Sequence, residues 1–108
     1  MEVTVKLPEL DVEGYLTNPD NWSEAVAEEF AREENIGLTE DHWDVIRFMR
    51  NYYETHQIIP DVRHVIWHLE ARLGKGTRNK VFELFPYGYV KQACRIAGMR
   101  RPRAWSTG

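Results

Sequence analysis

The stretch KQACRIAGMRRPRAWSTG, residues 91–108, holds the single cysteine of the chain, Cys94, among five basic residues and no acid. A thiol with cationic neighbours is held toward thiolate, the form that attacks disulfides and accepts sulfur. Lys91 and Arg95 flank Cys94, and Arg100, Arg101 and Arg103 follow it. Two features point the other way. Free cysteine is among the residue types most often buried as a small hydrophobe, and a position near a helix C-terminus disfavours an anion. From these residues alone, Cys94 is equally a working sulfur atom or a piece of core. With one cysteine there is no internal disulfide. In a reducing cytoplasm a Cys94-linked dimer is not expected, and the chain is expected to be a monomer.

Other chemistry-bearing residues are weaker. His64 and His68 stand four apart, on one helix face, but a zinc site needs further ligands and the sequence offers no second Cys/His pair at ligand spacing. No metal is expected. His42 and His56 stand singly and read as surface or boundary residues. No nucleophile–base triad, phosphate-cradling glycine loop or hydrolase carboxylate pair is visible, so no cofactor and no stand-alone catalysis are implied. Trp22, Trp43 and Trp67 lie among apolar helical positions and read as packing residues. Trp105 has no such partners and reads as an anchor for a binding partner.

The elements that must position Cys94 follow from periodicity. Alternation of Val3, Val5 and Leu7, then of Leu10, Val12 and Gly14, predicts a small N-terminal β-hairpin. A first helix is expected from about Trp22 to Glu34, with Asn21 as its N-cap and Trp22, Val26 and Phe30 facing inward. Thr39 caps a longer second helix whose stripe is Val45, Phe48, Met49 and Tyr52, and QIIPD ends it. A third helix, opened by Pro60, carries Val62, Val65, Ile66, Leu69 and Leu73 and stops at GKG. A fourth, about Arg78 to Phe85, exposes Arg78 and Lys80 and buries Val81, Phe82 and Phe85. A fifth, about Val90 to Ala97, buries Val90, Ala93, Cys94 and Ala97, turns Lys91, Gln92 and Arg95 outward, and is closed by Gly98. The reading is therefore a mainly α (α+β) chain: one domain over residues 1–98, and a flexible basic C-terminal arm over residues 99–108.

Composition agrees with one soluble domain, at 43% hydrophobic and 29% charged residues. No apolar run is long enough to span a bilayer, and MEVTVKLPEL lacks the layout of a signal peptide, so a cytoplasmic location is expected. The net charge of −3 conceals a division. Residues 1–44 hold 13 acids against two bases, a net −11, and the remainder holds 12 bases against 4 acids, a net +8. Either the basic half meets an acidic partner or folding brings the halves together. The two helices of residues 40–73 also form a helix-turn-helix-like pair, which with the basic arm suggests DNA binding as an alternative; yet Arg63, His64 and His68 make a sparse reading surface.

DVEGYL, LTEDHWDVIRFMRNYYE, QIIPDVRHVIWHL, LFPYG and KQACRIAG occur in this order over nearly the whole chain. Together they resemble the DsrC/TusE family, the gamma subunit of dissimilatory sulfite reductase and its sulfur-relay relatives. The resemblance implies a small helical domain with an N-terminal hairpin, a helix-turn-helix-like core and a C-terminal arm. It also implies docking on sulfite reductase or other sulfur-relay proteins. Family members of the sulfite reductase branch carry one cysteine in KQAC, matching Cys94, and a second eleven positions later; that position here is Trp105. Tyr89 stands where the family has proline. The resemblance thus leaves Cys94 as the one possible sulfur acceptor or redox thiol, with Lys91, Arg95, Arg100, Arg101, Arg103 and Trp105 as the partner-binding side chains.

Overall fold

The computed structural model describes residues 8–74 and 79–100. Within them the chain forms helices and turns, with no strand longer than an isolated bridge. The first turn is set by Asp11, whose Oδ1 accepts from the backbone N–H of Glu13 at 2.8 Å and of Tyr15 at 3.0 Å. An aspartate that hydrogen-bonds its own neighbours competes with a strand ladder. Gly14 completes the turn at φ +89°, a left-handed backbone that suits glycine. What remains of the expected hairpin is one antiparallel bridge between Leu10 and Leu16. Its first strand, residues 3–7, lies outside the described residues. The period-two pattern misled because Val12, which continues it, is fully exposed at the tip of the turn.

Asn18 caps a short 3-10 turn, Pro19–Asn21, by accepting from the Asp20 N–H at 3.0 Å. Helix α1 then runs Glu24–Glu33 with Ser23 as N-cap, not Asn21 as the spacing suggested, and buries Val26, Ala27, Phe30 and Ala31. Helix α2, Glu40–His56, is the longest and buries His42, Val45, Ile46 and Met49. Helix α3, Val62–Leu73, is capped by Asp61 rather than opened by Pro60, and buries Val65 and Leu69. Helix α4 is one short turn, Lys80–Leu84. It buries Val81 and Leu84 and leaves Phe82 46% exposed, against the expectation for Phe82. The last element is a π-helical turn, Tyr89–Cys94, that continues through Ile96. One core joins Leu16, Phe30, Ile46, Met49, Leu69, Phe85, Tyr89, Ile96 and Met99. The packed body therefore includes Met99, one residue past the boundary read from the sequence.

His42, expected at the surface or boundary, is instead buried at 6% exposure and fastens the start of α2 to the end of α4. Its Nδ1 accepts from the Thr39 N–H at 3.0 Å, and its Nε2 lies 2.9 Å from the Leu84 carbonyl. This pairing requires the neutral ring with hydrogen on Nε2, which donates to Leu84. The ring also meets Phe85 edge-on at 5.2 Å. Burial holds its pKa below the usual histidine value, against an opposing pull from the Leu84 carbonyl.

Two predictions follow from these contacts. A histidine with a lowered folded pKa binds a proton more readily unfolded, so stability is complete above the unfolded value near 6.5 and declines as pH falls below it. The urea midpoint should therefore drop between pH 7.5 and 5.5, and His42→Gln should show a smaller drop. At Gly98, φ is +78° and an added Cβ would lie 2.4 Å from Cδ1 of Trp22. Gly98→Ala therefore combines strain with a clash and should cost roughly 2–4 kcal/mol by urea denaturation.

Candidate functional site

Residues 86–100 carry Cys94, and the way the body grips them defines the site. A π turn pairs i with i+5, and the last carbonyls of any helical segment lack partners on their own backbone. Side chains from distant parts of the sequence donate to carbonyls within the turn and past its end. The Tyr15 hydroxyl donates to the Val90 carbonyl at 2.9 Å, and Trp22 Nε1 donates to the Ile96 carbonyl at 2.9 Å. Arg50 bridges two elements, with one nitrogen 2.7 Å from the Ala97 carbonyl and the other 3.0 Å from the Pro19 carbonyl. Its guanidinium lies 4.3 Å over the Trp22 ring, a cation–π contact that favours this orientation.

The segment ends in a Schellman cap. The Met99 N–H reaches back to the Cys94 carbonyl at 2.9 Å, and the Gly98 N–H to Arg95 at 3.0 Å. Gly98 supplies the left-handed residue that this cap requires.

Gln92 and Arg95 do not point outward as a regular helix would have them. The wider π turn shifts the register, and Gln92 is 1% exposed. Its Nε2 donates to Glu34 at 2.9 Å, and its Oε1 accepts from the Tyr87 N–H at 2.9 Å. Arg95 lies with its guanidinium 4.3 Å over Phe30 and donates to the Gly14 carbonyl at 2.9 Å, to Glu34 at 3.2 Å and to Glu33 at 2.6 Å. Arg95 is thus joined to the body. Lys91 and Arg100 are exposed. Lys91 opens on a cleft of about 280 Å³ shared with Glu13, Tyr15, Glu34 and Arg95. Arg101, Arg103 and Trp105 lie outside the described residues.

Cys94 itself is fully buried. Burial pushes its thiol up to about 12, while the neighbouring Tyr89 hydroxyl pulls weakly the other way. Of its two cationic neighbours in sequence, Lys91 faces solvent and Arg95 is turned to Glu33 and Glu34. Tyr89 is 1% exposed, its hydroxyl donates to the Pro60 carbonyl, and its own pKa is raised by burial.

The helix-turn-helix-like pair gives no support to DNA reading. On α3, His68 pairs with Asp44 at 2.9 Å, Arg63 lies 3.4 Å from Asp61, and His64 rests against Tyr52 with ring centres 5.2 Å apart. Among the described residues no three His, Cys, Asp or Glu side chains gather as metal ligands, and no helix is long and apolar enough to cross a membrane. Sequence reasoning missed Tyr15, Glu34, Arg50, Tyr89 and Gln92 as residues that build the site. The available signal was the acidic–basic division, since Glu33 and Glu34 belong to the acidic half and Arg95 to the basic one.

Comparison with known proteins matches this arrangement. A family model described as DsrC like protein matches residues 2–104. The chain is 39% identical over 104 residues to the sulfurtransferase TusE of Yersinia pseudotuberculosis, covering 94% of this chain and 96% of that protein. The oxidized gamma subunit of the dissimilatory sulfite reductase (DsrC) from Archaeoglobus fulgidus superposes with a TM-score of 0.85 at 35% identity, covering 97% of each chain. A chain in the crystal structure of dissimilatory sulfite reductase I superposes with a TM-score of 0.75 at 31% identity, covering 91% of this chain and 90% of that one. With its motifs, helical architecture and Cys94-bearing segment all matched along almost its full length, the chain belongs to the DsrC-like family.

Proposed function

We propose that this protein is a DsrC/TusE-like sulfur-relay component that acts as a monomer by docking on larger sulfur-handling proteins, a sulfite reductase or sulfurtransferase among them. The observation that carries this reading is the end-to-end match to TusE and DsrC chains. Exposed Lys91 and Arg100, continued in sequence by Arg101, Arg103 and Trp105, form the docking side. Arg95 supports that side from within by fixing the segment to α1.

Any sulfur held by the chain is held by Cys94, its single thiol. In that step the Cys94 thiolate forms a bond to the outer sulfur of a persulfide donor. The donor's S–S bond breaks, the donor leaves as thiolate, and no net oxidation occurs. The buried neutral thiol makes this step conditional on opening of the segment, so docking is the resting function and sulfur acceptance the triggered one.

Two measurements test the parts separately. Long incubation with glutathione persulfide, read by intact mass, should add one sulfur atom to the wild type and none to Cys94→Ser; no gain on the wild type overturns sulfur acceptance. Tagged protein in its native host should co-purify with a sulfite reductase or a sulfurtransferase, and Lys91→Glu with Arg100→Glu should lower that recovery severalfold with unchanged thermal stability. Recovery of neither protein overturns the docking role.

A further inference from the structure

We propose that Tyr89 is a gate on Cys94: its hydroxyl ties the π turn to the α2–α3 connection at Pro60, and the thiol meets solvent only when that tie breaks locally. This deepens the reading of Cys94 as the sulfur-holding atom and rests on it for its biological meaning, while the gate is a property of the fold that can be measured without any sulfur donor.

The side chains that grip the segment divide by position. Tyr15, Trp22 and Arg50 hold the backbone carbonyls of Val90, Ile96 and Ala97. Tyr89 acts differently: it is the first residue of the π turn, its side chain crosses to a carbonyl 29 residues away, and its hydroxyl is the polar side-chain group beside the thiol. The element it secures is a single π turn, a rare and short form that occurs mostly as one-turn bulges at functional sites.

The flanks of the turn provide for such an opening. On the N-terminal side, Pro86 and Tyr87 are exposed and Gly88 sits at φ +110°, a backbone position open to glycine and suited to a hinge. On the C-terminal side, the Schellman cap and the Trp22 and Arg50 bonds fix residues 96–99. Unwinding of residues 89–94 between this hinge and this anchor needs release of the Tyr89–Pro60 bond along with the Tyr15–Val90 and Gln92–Glu34 bonds inside the same stretch. Such sub-global openings take place without loss of the remaining core.

The test is the rate at which iodoacetamide alkylates Cys94 in the folded full chain, read by intact mass. The thiolate forms a C–S bond and iodide leaves, so the rate reports how often the thiol is presented. Tyr89→Phe keeps the ring and removes the hydroxyl. It should be alkylated about fivefold faster than the wild type, as expected for loss of one hydrogen bond. Val65→Ala, a core cavity on α3 remote in sequence from the segment, should lower global stability yet change the rate by less than about twofold. Equal acceleration by both variants would show that Cys94 is reached by global unfolding, and an unchanged rate in Tyr89→Phe would show that the phenol is no gate; either result overturns the proposal. The wild type alone gives a second reading, which stands even if a variant fails to fold. Local opening predicts a rate nearly flat in low urea, whereas a steep rise from zero urea rejects the gate.

Discussion

The structure depends on the supply of hydrogen-bond donors to the carbonyls of its last helical segment. Buried carbonyl groups without partners are strongly unfavourable, and the end of a helical segment leaves its last carbonyls without intrahelical partners. Tyr15, Trp22 and Arg50 meet this need from the first half of the chain, each through a rigid or forked donor. Individually such bonds contribute about 1 kcal/mol net. Collectively they determine where the Cys94 segment lies, since no sheet among the described residues could hold it and α4 is a single turn.

Charge completes the same closure. Glu33 and Glu34 at the end of α1 receive Arg95, while Asp41 and Asp44 on α2 receive Arg72 at 2.8 and 3.7 Å, and Lys80 reaches Asp41 at 3.5 Å. The Arg72 guanidinium holds the Asp41 carboxyl below the usual carboxylate range. The acidic first half and basic second half therefore meet across the fold. Exposed pairs of this kind add little stability individually; their effect is on register, since each basic residue has a single acidic side to face. The positive charge left over concentrates at Lys91, Arg100 and beyond, which explains why the overall charge of −3 gave no hint of a basic end.

Much of this was legible in the sequence because its causes are local. Helices α2 and α3 follow from apolar spacing, with Thr39 and Asp61 available as caps, and KQACRIAG with LFPYG carried the family. The failures come from hydrogen bonds that periodicity does not register, one set local and the others long-range. Val12 fits a strand by alternation, but Asp11 turns the chain before a partner strand can matter. Gln92 and Arg95 fit an exposed face at a period of 3.6, but the π turn moves them against α1. His42 read as a surface or boundary histidine because Leu84, its second partner, is 42 residues away. The candidate site shows the same limit: sequence identified Cys94, whereas its shield of Tyr89 and Pro60 required coordinates.

The bonds from Tyr15 to Val90 and from Trp22 to Ile96 span 75 and 74 residues, which places them among the most expensive loops the chain can close and makes them late events in folding. On a ribosome they cannot form until the last turn has left the exit tunnel, after α1 to α3 have emerged. Until those two bonds close, the burial of Cys94 is incomplete. The shielding of the thiol is thus set by the last loops to close and not by any local element.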